Sequence, residues 1–389
     1  PVRTPTGGWA FYEMEWRTSK PAGSVCLGAL DPDTGKLLTA PKPISQAAVG
    51  RERGLCPDFS RDGKHLAYYV APASEQLPKG RRSGPGKIVI RTLETGEERE
   101  IAPSPQISHV GWDPSLRWVS DGRSILIWGC AETGRRGIYR VDVDKGDLNP
   151  VVLDDPKQTR ADWQLDYWNV GPKEGETVGP GELSPDGKTI YFSRLHQAPN
   201  GPNTPCRVVA RDVETGQERE IYRGELGLYS YRVSPDGKHM LIGKATALEI
   251  IPTAGGEPRE LLRFEEQHVR RIRRTMTWTP DSRHVLFVKD TQGGAKLWRI
   301  ATDGDPPEQV GEFGTFVNFL RMHPDGRQIA YHAGLSLPMA RIRMMQINVS
   351  GEEIAKEMCT ANLTKIGKAI KQYRNDHGDV PDGFADLYP

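Results

Sequence analysis

A short turn that recurs seven times constrains this chain more than any other feature. It reads Pro5-Thr6-Gly7-Gly8, Arg61-Asp62-Gly63-Lys64, Ser120-Asp121-Gly122-Arg123, Pro185-Asp186-Gly187-Lys188, Pro235-Asp236-Gly237-Lys238, Pro280-Asp281-Ser282-Arg283 and Pro324-Asp325-Gly326-Arg327. An apolar run such as His65-Leu66-Ala67-Tyr68-Tyr69 or Thr189-Ile190-Tyr191-Phe192 follows each turn. About twenty to thirty residues later comes a second turn, as in Leu30-Asp31-Pro32-Asp33-Thr34-Gly35, Leu93-Glu94-Thr95-Gly96 and Val213-Glu214-Thr215-Gly216. Proline presets φ, aspartate accepts hydrogen bonds from the backbone ahead of it, and glycine takes positive φ without steric cost. β-Branched and aromatic runs bounded by such turns are strands.

A short strand also precedes each first turn, as in Tyr229-Ser230-Tyr231-Arg232-Val233. The unit is therefore four antiparallel strands repeated at a period of roughly 40–50 residues, the pattern of β-propeller blades. The expected fold is all-β, a propeller of seven blades over residues 1–351, with six blades plus an irregular N-terminal piece as the alternative. Only Pro1 to Thr4 precede the first turn. Blade one thus lacks a strand, and closing the ring needs one from the C-terminal side.

The turns resemble the WD40-like (PD40) repeats of TolB-type propellers. Ser184 to Lys188 and Ser234 to Lys238 match the Ser-Pro-Asp-Gly-Lys wording of that family letter for letter, and the resemblance spans about residues 5–350. Thr6 and Ser282 depart from it. The resemblance implies a propeller, and propellers of this class serve as binding platforms, as gatekeepers beside proteases and as sugar-acid lyases.

Past Gly351 the period changes. Ile354, Met358, Leu363, Ile366, Ile370 and Tyr373 fall at helical spacing and form one apolar stripe. His377-Gly378 and Pro381 end the pattern. Residues 352–389 are therefore expected to form an amphipathic helix and tail. Their wording resembles a segment of pilin-like (type II secretion pseudopilin) proteins, without the apolar membrane half. The stripe would dock on the propeller wall or offer itself to a partner.

The net charge of +1 gives no general attraction to nucleic acid. No apolar run is long enough to span a bilayer. The sequence opens on Pro1 with no signal-peptide pattern, which reads as a trimmed, exported chain. The five cysteines, Cys26, Cys56, Cys130, Cys206 and Cys359, show no zinc spacing. Cys26 and Cys56 lie in adjacent blades and could bridge, but burial as small apolar residues is the preferred reading. Trp163, Tyr167 and Trp168 lie in a long insertion and would cap their blade or contact a saccharide or protein.

A fold does not supply a site. No nucleophile elbow, phosphate loop, calcium loop or zinc-protease motif occurs. His65, His239 and His284 share one position after the turn and read as structural; His109, His196, His268, His323 and His332 are scattered. No metal or cofactor is expected. The inner strands should line a central channel, where Arg51, Arg53, His109, Glu182, Tyr229, Arg232, Arg274 and Arg321 are the candidate binding residues. Arginines facing one funnel can grip a carboxylate or sulfate, or pair with blade carboxylates. The expected function is a non-catalytic, extracytoplasmic module for binding or assembly, through a protein partner or self-association at the C-terminal stripe or an open blade edge. The alternatives are a metal-assisted lyase acting on acidic oligosaccharides and a sensor domain of a longer chain.

Overall fold

The computed structural model describes residues 2–3, 9–15, 24–44, 52–72, 84–108, 115–132, 134–155, 176–196, 206–224, 230–244, 246–264, 275–291, 294–313, 317–333 and 341–347. The chain divides into two compact units, Pro21–Leu335 and a unit formed by Pro1–Lys20 with Ser336–Pro389. In the terminal unit, β1 (Val2–Arg3) and β2 (Trp9–Glu15) pair antiparallel. β2 pairs in turn with β28 (Arg341–Ile347), from Trp9 against Ile347 to Glu15 against Arg341. The candidate stripe Ile354, Met358, Leu363, Ile366, Ile370 and Tyr373 lies outside the described residues, as does the expected boundary at 351.

The larger unit is a β-propeller of six blades. After β3 (Ser24–Ala29) and β4 (Lys42–Pro43), blade 1 runs β5 (Glu52–Phe59), β6 (His65–Pro72), β7 (Lys87–Thr92) and β8 (Glu98–Ile101). Blade 2 comprises β9 (Ile107–Ser108), β10 (Arg117–Trp118), β11 (Ser124–Ala131), β12 (Arg136–Asp142) and β13 (Leu148–Leu153). Blade 3 is β14 (Glu176–Leu183), β15 (Thr189–His196), β16 (Cys206–Asp212) and β17 (Glu218–Gly224). Blade 4 is β18 (Ser230–Val233), β19 (His239–Gly243), β20 (Ala247–Pro252) and β21 (Arg259–Arg263). Blade 5 is β22 (Met276–Trp278), β23 (His284–Thr291), β24 (Gly294–Ala301) and β25 (Glu308–Phe313). Blade 6 begins with β26 (Val317–Met322) and β27 (Gln328–Ala333), and β3 and β4 complete it, in the order β26-β27-β3-β4.

The expectation of seven blades is thus corrected to six. The turn at Pro324 and the half-turn at Asp31 belong to one blade split between the two ends of the propeller, as the pairing of Gln328 with Ala29 through Ala333 with Ser24 shows. The strands flanking Pro5–Gly8 pair with each other and with β28 instead. With β26 and β27 supplied from the C-terminal side, the open blade edge expected at the N-terminus is filled. Each inner strand (β5, β10, β14, β18, β22, β26) contacts the inner strands on both sides, so the ring closes.

The apolar runs are continuous because every blade is sandwiched between two others. Strand residues alternate faces. Leu66, Tyr68 and Val70 pack with Val25 and Ala330 of blade 6, whereas Ala67, Tyr69 and Ala71 pack with Ile125 and Ile127 of blade 2. Among the described residues, six hydrophobic clusters fill the six blade interfaces. Outer strands add polar latches to the next blade: Arg99 donates to the Val143 carbonyl at 2.6 Å, Arg219 to Thr253 at 2.7 Å, and Arg259 to Thr302. Cys26, Cys56 and Cys206 are buried in these strands, and no disulfide joins Cys26 to Cys56.

The turns use one local chemistry. The Ser60, Ser184, Ser234 and Thr279 hydroxyls donate to Asp62, Asp186, Asp236 and Asp281, and accept the N–H of His65, Thr189, His239 and His284. The recurrent histidines are therefore backbone partners of a turn. The turn glycines sit at φ between 66° and 75°, and Ser282 holds the same conformation at 60°.

Candidate functional site

Where the inner strands meet the Pro-Asp-Gly turns, a cavity of about 380 Å³ opens on the propeller axis. Each blade contributes the same positions. Five residues before the turn glycine, or before Ser282, stand Asp58, Arg117, Glu182, Arg232, Thr277 and Arg321, one per blade in ring order. One residue later come Phe59, Trp118, Leu183, Val233, Trp278 and Met322, the apolar layer of the wall. Four turn prolines, with Arg61 and Ser120 in the other two blades, form the rim.

The ring is one connected ionic network. Arg117 donates through Nε to Glu182 Oε1 at 2.7 Å, and its Nη2 also lies 2.7 Å away. Arg232 Nη1 reaches the same oxygen at 2.8 Å, and Arg321 Nη2 approaches it at 3.3 Å from the opposite blade. Arg321 Nε also pairs with Asp58 Oδ1 at 3.1 Å. Asp58 Oδ2 accepts the Trp118 N–H at 2.8 Å. The Leu116 and Tyr231 carbonyls take further donors from Arg117 and Arg232. The three arginine side chains retain 10%, 9% and 8% exposure, so these charges have left bulk water. Burial pushes the Asp58 carboxyl up to about 7, held back by the Arg117 guanidinium and the Trp118 N–H, with the Glu182 charge adding to the rise.

The backbone is bent to aim this layer. Seven residues before the turn glycine, Cys56, Ser115 and Phe319 adopt φ of 51°, 40° and 56°, although none is glycine. A left-handed residue with a Cβ costs about 1–2 kcal/mol. Register shifts occur at the same place in β5 and β26, and one residue earlier in β14. Bulges of this kind redirect the side chains that follow, here Asp58, Glu182 and Arg321. Such strain gathers at functional sites.

Of the eight channel candidates read from the sequence, the structure brings Glu182, Arg232 and Arg321 together. Arg51, His109, Tyr229 and Arg274 lie outside the described residues, as do the side chain of Arg53 and the aromatic trio Trp163, Tyr167 and Trp168. Asp58 and Arg117 were not anticipated; counting back from the turn glycine finds them, because the repeat fixes the position that faces the axis. His323 lines the cavity, but its Nε2 lies 2.9 Å from the Gly63 carbonyl across the seam between blades 6 and 1, and its Nδ1 contacts Asp325. His332 is buried beside Phe319. Among the described residues no three metal-ligating side chains cluster, and no helix is long and apolar enough to cross a membrane.

The fold and this site define a six-bladed β-propeller with a charged axial cavity. No protein-family model matches the chain, and no curated protein matches it. Among solved structures, TolB from Acinetobacter baumannii is 16% identical, covering 84% of this chain and 67% of that one, at a TM-score of 0.47. An oligogalacturonate lyase in complex with manganese is 15% identical over 68% of this chain and 71% of that chain, at a TM-score of 0.46. The β-propeller domain of the Trilobed protease from Pyrococcus furiosus, described as having an open velcro topology, is 15% identical over 87% and 96%, at a TM-score of 0.42. None of these similarities assigns a ligand or an activity to this chain.

Proposed function

We propose that this protein is a non-catalytic binding module whose ligand seat is the axial cavity. One observation carries the reading: a buried ionic ring forms the floor of a cavity walled by apolar side chains and prolines, the make-up of a ligand pocket. Both carboxylates of the ring are engaged by arginine. Glu182 presents one oxygen to three guanidinium groups. A carboxylate shared among three guanidinium groups, as Glu182 is, makes a poor cation ligand, which favours holding a ligand over metal-assisted turnover.

A thermal-shift screen against organic acids, peptides and uronic oligosaccharides, with product analysis of each mixture, tests this. Binding without turnover, lost in Arg321→Gln, is the expected result. Unsaturated sugar products, or binding indifferent to Arg321→Gln, would contradict it. The reading includes an extracytoplasmic location, supported by the likeness of the turns to TolB-type repeats and checked by cell fractionation. Assembly through residues 352–389 is a separate proposal. Sedimentation with and without them should show a larger species only in the full chain, and a monomer in both removes it.

A further inference from the structure

The turn of blade 6 carries a residue that no other blade has. Three residues before the turn glycine, or before Ser282, blades 1, 3, 4 and 5 place Ser60, Ser184, Ser234 and Thr279, whose hydroxyls close each turn on itself, and blade 2 places Val119. Blade 6 places His323. The backbone of its turn is unchanged: the His323 N–H donates to the Gln328 carbonyl at 2.8 Å, and the Gly326 N–H to the His323 carbonyl at 2.9 Å. The ring reaches further than a hydroxyl can. Its Nε2 lies 2.9 Å from the Gly63 carbonyl in the turn of blade 1, 260 residues away in the chain. It also meets Phe59 of blade 1 in a T-shaped contact with centroids 5.0 Å apart.

A carbonyl only accepts, so Nε2 carries a proton. Nδ1 faces two groups with opposite needs. The Asp325 N–H at 3.2 Å calls for an acceptor, and the Asp325 Oδ1 at 2.6 Å calls for a donor. The lone pair of a neutral ring suits the first and repels the second. An imidazolium donates Nδ1–H to the carboxylate in a short, charge-assisted bond. We infer that His323 is a proton-operated clasp: by taking up a solvent proton on Nδ1 it ties the Asp325 turn of blade 6 to the Gly63 turn of blade 1, and so tightens the seam where the two ends of the propeller meet. Other charges stand on the elements around it. Its own strand and turn carry Arg321 and Arg327, and blade 1 presents Asp58, Arg61, Asp62 and Lys64. The blade 5 turn with Asp281 and Arg283, and the outer turn of blade 6 with Asp31 and Asp33, pack beside Gly326 through Pro280 and Pro32. Asp62 is spent on the Ser60 hydroxyl and the Lys64 N–H, and Asp58 on Arg321 and the Trp118 N–H. Among the described residues, Asp325 alone stands within ion-pairing distance of the ring.

The clasp is independent of any ligand in the cavity. Because it exists only in the protonated ring, its contribution is present at pH 5 and gone at pH 8, the span over which histidine changes charge. Urea unfolding of the full chain and of His323→Ser, which restores the turn residue of blades 1, 3 and 4, tests this at both pH values. The comparison at each pH leaves the contribution of Asp58 common to both proteins. The advantage of the native chain in unfolding constant should be about two- to fivefold larger at pH 5 than at pH 8, and should not change with pH in an Asp325→Asn background. An advantage that is equal at both pH values, that grows towards pH 8, or that keeps its pH dependence in Asp325→Asn would overturn the inference. If His323→Ser does not fold, hydrogen exchange decides. The Gly63 N–H, bonded to the Ser60 carbonyl at 3.0 Å, should lose more protection between pH 5 and pH 8 in the native chain than in Asp325→Asn. Equal losses would likewise overturn it.

Discussion

Glu182 holds the axial network together, because one of its oxygens faces guanidinium groups from blades 2, 4 and 6. Removing that charge leaves buried cations uncompensated. Glu182→Gln is therefore expected to destabilise the fold by about 3–5 kcal/mol, measured by urea unfolding. Asp58 behaves differently. Its carboxyl is raised to about 7 in the folded protein by burial, against an ordinary aspartate value of about 3.9. Between those values the native state keeps a proton that the unfolded chain has released, so this group makes stability fall as pH rises from about 4 to about 7. Asp58→Asn lacks that contribution. Its stability relative to the native sequence should improve as pH rises through the window, read from unfolding curves at several pH values; a constant difference would refute the assignment. Glu182, Arg232 and Arg321 were legible in the sequence because each lies in an apolar strand leading to an obvious turn. Asp58 was hidden behind the irregular Gly54–Pro57 approach, and Arg117 heads a strand of only two residues. Neither reads as a strand interior.

At the scale of elements, the turn decides where strands end and the bulge decides where they point. Gly63 sits at φ +69°, and a Cβ there would lie 2.7 Å from the His323 ring of blade 6. Gly63→Ala should cost more than about 1 kcal/mol, combining backbone strain with a clash at the closing seam, as a drop in Tm will show. Ser282 is the informative contrast. It pays the left-handed penalty at φ 60°, yet its hydroxyl accepts the Asp236 N–H of blade 4 at 3.0 Å. Ser282→Gly exchanges strain for a lost inter-blade hydrogen bond, and the two terms are each about 1 kcal/mol. Its unfolding midpoint should consequently stay close to that of the native chain, within about 1 kcal/mol. Strands and turns were readable because their signals are local. The positive φ of Cys56, Ser115 and Phe319 was not, since none of these residue types favours that conformation and only the packed ring imposes it.

For the whole molecule, the blade count shows what chain order conceals. Seven glycine turns run along the sequence, but blade 6 takes its inner strands from Val317–Ala333 and its outer strands from Ser24–Pro43. The strands on either side of Pro5–Gly8 belong to a different sheet. Pairing between residues some 300 apart leaves no periodic trace, so six and seven blades were indistinguishable before the register was known. All six blades lie within residues 21–335. That segment alone is expected to fold with a β-rich spectrum and a cooperative transition. Deleting residues 21–44 from it strips Ile329 and Tyr331 of their β3 partners, Gly28 and Cys26, and should abolish cooperativity in calorimetry.

The account stands most directly on what occupies the axis. A crystal structure of the protein should show six blades around one axis, with Glu182 joined to the guanidinium groups of Arg117, Arg232 and Arg321. Seven blades, or arginines turned away from the axis and from Glu182, would contradict it.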